Sequence, residues 1–249
     1  MKKPILLLAF TVFSVTALQA QAALFALLFG DKVASEKFNI SLEFGVTQPF
    51  YSNLDNNDRS KLGVNFGIGG NLKLSENWFF NPNIYFLARR NLQLDSFSLS
   101  TGNPNLDSQF ANAETNVTLN YIDVPLLVTY QTNNKKYRFA LGPQISFLQK
   151  SRAEFMRPEG SFTQNFDGYT EDVDYGLMAD FAYVLGKAHK GKGIIVHLRY
   201  YHGFTDILKD QISTQNNNSG YLSLHLTLPF ITDELAEKNL EEYDKNLKE

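Results

Sequence analysis

Residues 121–130 read YIDVPLLVTY, a stretch with the alternation of a β-strand that also carries an acid and a proline. By parity, Ile122, Val124, Leu126 and Val128 fall on one face and Tyr121, Asp123 and Pro125 on the other. Strand side chains alternate with a period of two, so the two faces meet different surroundings. Which face is inside decides the fold.

The same pattern runs through the neighbouring segments. In 61–74, KLGVNFGIGGNLKL, the residues Leu62, Val64, Phe66, Ile68, Leu72 and Leu74 oppose Gly63, Asn65, Gly67, Gly69, Asn71 and Lys73. In 38–47, Ile40, Leu42, Phe44 and Val46 oppose Asn39, Ser41, Glu43 and Gly45. Further strands are expected at 78–90, 117–130, 137–148, 174–185, 194–206 and 221–230, about eight in all. Most reach the ~9 to 11 residues that carry a tilted strand across a bilayer, and exceed the ~5 to 6 usual in soluble sheets. The connections alternate too. Short ones fall near SEN, QTNNKK and GKAHKGKG, and long ones such as 91–116 and 149–173 are rich in Asn, Ser, Gly and Asp. Outer-membrane barrels segregate their loops in this way, with short periplasmic turns and long external loops. Aromatic residues gather at both strand ends, as two interfacial girdles would: Trp78, Phe79, Tyr130 and Tyr137 at one, Phe50, Tyr51, Phe147 and Tyr175 at the other.

The polar face holds Gly, Asn and Ser with nearly balanced charges. Glu43, Asp123, Asp174 and Asp180 stand against Lys73, Arg89, Arg138 and Arg199, and these eight form the expected lumen charge network. A narrow lumen needs small residues for space and opposite charges in pairs, because an unpaired buried ion costs several kcal/mol. The apolar face therefore points to lipid. Eight strands enclose only enough room for side chains, so the charges read as a plug and a general diffusion pore is not expected. Arg90 and His202 are the outward-facing exceptions, both near strand ends. Pro125 lacks a ladder donor in a sheet without a free edge, and a β-bulge or local irregularity is expected there.

The chain has 249 residues, a net charge of -3, a pI near 5.8, 14% aromatic and 20% charged residues. No basic surface or cluster is present that would serve a nucleic-acid partner. Lys2 and Lys3, the apolar run that follows and AQA at 20–22 read as an export signal over 1–22, with an uncleaved anchor as the alternative because ALFALLF prolongs the apolar run. The absence of cysteine excludes a lipobox, disulfides and thiolate metal sites. Residues 23–37 form a periplasmic lead, 38–230 the barrel and 231–249 a tail that opens on the cap Thr232 and reads as a short polar helix, either docked or frayed.

The motifs GDKVASEKF, FGIGGNLKLSENW, YIDVPLLVTY, YRFALGPQISF, DYGLMADFAYVLG and LRYYHGFTDI stand in an order and spacing that resemble the PorT-like family of outer-membrane β-barrels common in Bacteroidetes. The resemblance spans nearly the whole mature chain. It implies an outer-membrane barrel of about eight strands, in a family whose founding member is associated with protein secretion by the type IX route. One departure is the tail beyond Phe230, since such barrels often end on a terminal aromatic.

Catalytic chemistry finds little footing. His197 and His225 share the polar parity, and Ser223 lies on the same face as His225, the ingredients of a lipid-modifying barrel enzyme. Polar-face Ser and His are common in any filled lumen. GIGGN alternates within a strand and opens no helix, so it is no phosphate loop. NVT at 116–118 matches a glycosylation sequon of little weight in a bacterial envelope. No catalytic residue, cofactor or metal is therefore expected. The expected fold is all-β, an eight-stranded antiparallel transmembrane up-and-down barrel with a short helical tail. The expected role is non-enzymatic, with outer-membrane lipid and envelope or secretion proteins as partners and a monomeric barrel. A lipid-modifying enzyme and a soluble lipocalin-like barrel are the alternatives.

Overall fold

The computed structural model describes residues 34–53, 59–98, 101–210, 212 and 215–246. The expected signal at 1–22 and most of the lead lie outside the described residues. The elements are β1 (Phe38–Tyr51), β2 (Arg59–Lys61), β3 (Gly63–Lys73), β4 (Trp78–Phe97), α1 (Pro104–Gln109), β5 (Ala113–Gln131), β6 (Tyr137–Arg157), β7 (Gly160–Asn165), β8 (Val173–Leu185), β9 (Ile194–Asp206), β10 (Asn218–Pro229) and α2 (Asp233–Asn246).

Eight of the strands close a ring in the order β1, β3, β4, β5, β6, β8, β9 and β10, each antiparallel to its neighbours, with β10 pairing back onto β1. The remaining two are appendages: β2 extends the β4 edge above β3, and β7 folds back along β6. Turns at 74–77, 132–136 and 186–193 lie at one end with the tail helix, and the longer connections lie at the other. No helix among the described residues is long and apolar enough to cross a membrane, which has no bearing on spanning by strands.

Parity sorts the faces as the sequence predicts over most of the ring. Tyr121, Asp123 and Pro125 are buried in the lumen, while Leu126 and Val128 are exposed on the outer face. The outer face carries Phe44, Val64, Ile84, Phe86, Phe139, Leu141, Leu177, Phe181, Leu198 and Leu224, all exposed. An apolar patch that circles a whole molecule belongs against lipid. This belt removes the soluble lipocalin-like alternative.

The irregularity expected at Pro125 takes the form of an interrupted ladder: β5 keeps one register against β6 from Tyr121 to Gln131, but the paired positions skip Leu126 and Leu127. Register shifts not expected from the sequence lie on β4, between Tyr85 and Ala88, where an extra residue faces both neighbouring strands, and on β6, where Gln149 is extra between the partners of Asn120 and Tyr121. A bulge reverses the parity of every residue beyond it. Arg90 consequently turns into the lumen and Arg89 turns out.

β4, β5 and β6 also run longer than expected, to 20, 19 and 21 residues. About eight residues beyond the bilayer requirement amount to roughly 25 Å of strand. Leu92, Leu94, Val117, Leu119, Ala153 and Phe155 line the inner face of this extension. Phe110, Phe166, Ile207 and Leu208 fold down from the loops to cover them, and all are buried. Asn217 fixes part of this cap by accepting from the amides of Ile207 and Leu208 at 2.9 and 2.6 Å.

Candidate functional site

Two arginine-centred clusters cross the middle of the lumen. Turned inward by the β4 bulge, Arg90 donates through Nη2 to Asp123 at 3.0 Å and through Nη1 to Asp174 at 2.5 Å. The hydroxyls of Ser146 and Ser219 accept from the same guanidinium at 2.8 and 3.1 Å. Its plane lies against Tyr121, Tyr201 and Tyr221, with ring centroids 4.4, 5.1 and 5.4 Å away. Asp174 also accepts from Tyr201 at 3.0 Å and Thr205 at 2.6 Å, so both lone-pair regions are used.

The second cluster is built on Arg199. Its Nε donates to Asp180 at 2.6 Å and its Nη1 to Glu43 at 3.0 Å. Tyr85 donates to Glu43 and accepts from Arg199. His197 bridges outward, with Nδ1 2.9 Å from Asp180 and Nε2 3.0 Å from the Thr227 hydroxyl. The lumen glycines make room here: a Cβ on Gly69 would strike Glu43 and Ser41, and one on Gly45 the ring of His225. A buried guanidinium held by two carboxylates and neutral hydroxyl acceptors is the arrangement that repays its desolvation.

Of the eight residues expected in the lumen network, Glu43, Asp180 and Arg199 meet in one cluster, and Asp123 and Asp174 in the other. Arg138 points inward but has no carboxylate within salt-bridge distance among the described residues; it reaches Gln131 at 3.4 Å and lies over Phe79 at 5.0 Å. Lys73 stands at the rim, bound to Glu36 at 3.0 Å. Arg89 is the correction: it is exposed on the outer face, bonded to Asn120, and Arg90 takes the expected place beside Asp123. Sequence parity missed Arg90 because a bulge leaves no local mark. The adjacent arginine pair was the one available hint.

Below the Arg199 cluster the lumen opens into a cavity of about 210 Å³ walled by Ser41, Asn81, Asn83, Thr129, Arg138 and His197 among others. Helix α2 covers its mouth. Thr232 caps the helix by accepting from the amide of Leu235 at 3.3 Å, and Ala236 is buried beneath it. Lys192–Asp233, Lys238–Glu36, Lys135–Glu242 and Lys187–Asp244 pair at 2.8, 3.1, 2.5 and 2.7 Å, so the cover is clamped to the lead and to two of the short turns. Gly191, at φ +84°, provides the left-handed turn against which Ala236 and Leu240 pack. The tail is therefore docked rather than frayed. Exposed Glu36 and Asp233 have carboxyls held below the usual range, Glu36 by hydrogen bonds from Lys73 and Lys238 and Asp233 by the hydrogen bond from Lys192.

Ser223 and His225 do share the inward face, both buried in mid-strand. Neither Ser223 Oγ nor His225 Nε2 has a hydrogen-bond partner among the described residues, and His225 Nδ1 faces Arg199 at 3.4 Å. A nucleophile joined to its base, the geometry acyl transfer requires, is not assembled by this pair.

The family model described as outer membrane protein beta-barrel domain matches residues 19–209. No curated protein matches the chain. Among solved structures, Ail, the attachment invasion locus protein of Yersinia pestis, solved with the heparin analogue sucrose octasulfate, is 12% identical with a TM-score of 0.41, over 77% of this chain and 97% of that one. Neisserial surface protein A is 14% identical with a TM-score of 0.41, over 78% and 97%. OprG of Pseudomonas aeruginosa is 10% identical with a TM-score of 0.37, over 77% and 92%. Membership rests on the family match, which covers well over half of the chain: it belongs to the outer membrane protein beta-barrel domain family and is a β-barrel protein of the outer membrane.

Proposed function

We propose that this barrel has no catalytic activity and works as a monomeric, membrane-anchored binding or assembly component of the envelope. Its working surfaces are the external extension of β4–β6 with its loops and the helix clamped over the periplasmic mouth. The observation that carries the reading is the filling of the mid-lumen by the Arg90 and Arg199 clusters, beneath an apolar external cap. A barrel closed in this way offers its ends to partners in place of a path through its centre.

The resemblance to PorT-like barrels of Bacteroidetes supports a narrower form of the reading, in which the protein is exported by cleavage of residues 1–22 and serves as an accessory to type IX secretion. The docked tail supports it as well, because a terminal helix displayed on the periplasmic side is a surface for envelope proteins. Pull-down from native membranes tests both forms. The full chain should recover envelope partners that a chain ending at Ile231 loses if the tail is the contact, and retains if the external extension is. Ion conductance by the wild-type barrel in planar bilayers would overturn the closed-barrel reading, and a lipid-modifying activity lost in His225→Ala would overturn the non-enzymatic one.

A further inference from the structure

Above the lipid belt, the outer face of β4, β5 and β6 changes character within one row of residues. Ile122 and Phe147 are cross-strand partners on the apolar face, and Phe86 stands beside them on β4. The next outward row across the same three strands is Arg89, Asn120 and Lys150. One row higher come Lys61 on β2, Asn91, Thr118 and Arg152. These two rows hold four cations and no acid. On these strands acids enter only beyond them, with Glu154, Glu114 and Asp95.

None of the four cations forms an ion pair with a described residue. Arg89 donates to the Asn120 amide oxygen at 3.1 Å and Lys61 to that of Asn116, neutral partners that orient the side chains without discharging them. Asp167 is within electrostatic reach of Lys150, but its oxygens are already bound by Ser151 and Asn165. Arg89, Lys150 and Arg152 are exposed. The same end of β8 and β9 is different, presenting Tyr175, His202 and Phe204 on its outer face.

Cations set directly above an apolar belt stand at headgroup height, where an outward Arg or Lys costs only ~0 to 1 kcal/mol against ~2 to 4 at the midplane. Arg89 and Lys150 flank one intervening strand, a separation of roughly 10 Å. The fork of arginine and the point charge of lysine both suit phosphate oxygens. We infer that this face of β4–β6 is a docking surface for the phosphate groups of outer-leaflet lipid. It fixes one side of the barrel against phosphorylated headgroups and leaves the aromatic β8–β9 side to neutral lipid.

The full chain reconstituted in phosphatidylcholine vesicles, doped with equal amounts of lipid A and its dephosphorylated form, tests this by native mass spectrometry of the retained lipid. The wild type should retain the phosphorylated form preferentially. Arg89→Gln alone should reduce that preference roughly fivefold, and the K61Q/R89Q/K150Q/R152Q variant should abolish it. Lys209→Gln, in the loop after β9, should leave it unchanged. All four substituted side chains face outward, and an unaltered heat-modifiable gel shift confirms folding of each variant. A preference that survives in the quadruple variant, or is absent in the wild type, overturns the inference. So does its collapse on adding inorganic phosphate but not sodium chloride of equal ionic strength, which would make free phosphate the ligand. All three outcomes leave the closed-barrel reading untouched.

Discussion

The two halves of the lumen are built on different principles although β4, β5 and β6 run through both. Toward the end with the longer connections, proposed as external, Leu92, Leu94, Val117, Leu119 and Phe155 are buried against Phe110 and Phe166, as in the core of a soluble domain. Toward the end with the short turns, proposed as periplasmic, Ser41, Asn81, Asn83, Thr129 and Gln131 surround an open cavity under a helix held by ion pairs. In the first half the chain covers its own inward residues with loops, so apolar side chains are favoured at ~25 cal/mol per Å² removed from water. In the second half, inward residues border space reachable through the mouth, and amides and hydroxyls suit it better. Alternation sets which residues face in. What closes the end sets their chemistry.

The sharpest test of this division lies at its boundary. Arg90→Ala leaves Asp123 and Asp174 without their cation and should destabilise the barrel by about 3 to 5 kcal/mol. Arg89→Ala, one residue away on the outer face, should change stability by no more than ~0.5 kcal/mol. Urea unfolding in vesicles separates the two. Equal effects would mean that the β4 bulge does not reverse parity, and the boundary would have to be redrawn.

Within the halves the effects should be unequal. Phe155, whose ring stacks at 6.3 Å on Phe97 and lies 6.3 Å from Phe162, has no route to water, and Phe155→Ala should cost about 3 to 5 kcal/mol. Thr129 donates to Asn81 at 2.6 Å beside the cavity, where water can replace it, so Thr129→Val should cost only ~1 kcal/mol or less. If the two prove similar in urea unfolding, the external half is not a closed core.

Much of this was legible in the sequence, and the failures have physical reasons. Each of the eight ring strands overlaps the stretch read by alternation, and the tail helix begins at its predicted cap Thr232. Arg89 was misplaced because a bulge is decided by pairing with β3 and β5, which no window on β4 contains. The extension of β4 and β6 falls in stretches that sequence alone assigns to loops, although NLQL at 91–94 and SRAEF at 151–155 alternate. Their outward residues are polar because they stand above the lipid, so the alternation lost the apolar face that made it conspicuous elsewhere. Docking of the tail is not legible in its own sequence because its cationic partners come from the turns at 132–136 and 186–193, far away in sequence.

The helical cover should be removable. A chain ending at Ile231 keeps every ring strand and loses exposed ion pairs, worth ~0 to 1 kcal/mol each, together with the packing of Ala236 and Leu240 on Gly191 and of Tyr243 on Gly186. The protein has no cysteine, so a single Thr129→Cys reports on the cavity. A membrane-impermeant maleimide added from the periplasmic side should label it slowly in the full chain and severalfold faster in the shortened one. Equal labelling would show that the helix does not close the mouth. The external end offers no such cover to remove, because Phe110, Phe166, Ile207 and Leu208 are part of its core.

Acid should distinguish the two ends by the smallest of these effects. The carboxyls of Glu36 and Asp233 are lowered when docked, by hydrogen bonds from Lys73 and Lys238 and from Lys192. A group whose docked pKa lies below its free value stabilises docking above the free value, and the contribution is lost as pH falls through the docked one. Helix α2 should therefore stay clamped from neutrality down to about pH 4, the usual carboxylate range, and loosen below it. Asp167 in the external cap responds with the same sign: burial pushes its carboxyl up, but hydrogen bonds from Ser151 and Asn165 outweigh this and hold it low. The outcome there differs because the buried rings of Phe110 and Phe166 do not titrate. Hydrogen exchange across this window should show protection falling at 233–246 while 113–119 stays protected. Loosening of the external strands at the same pH as the helix would make the two ends one cooperative unit.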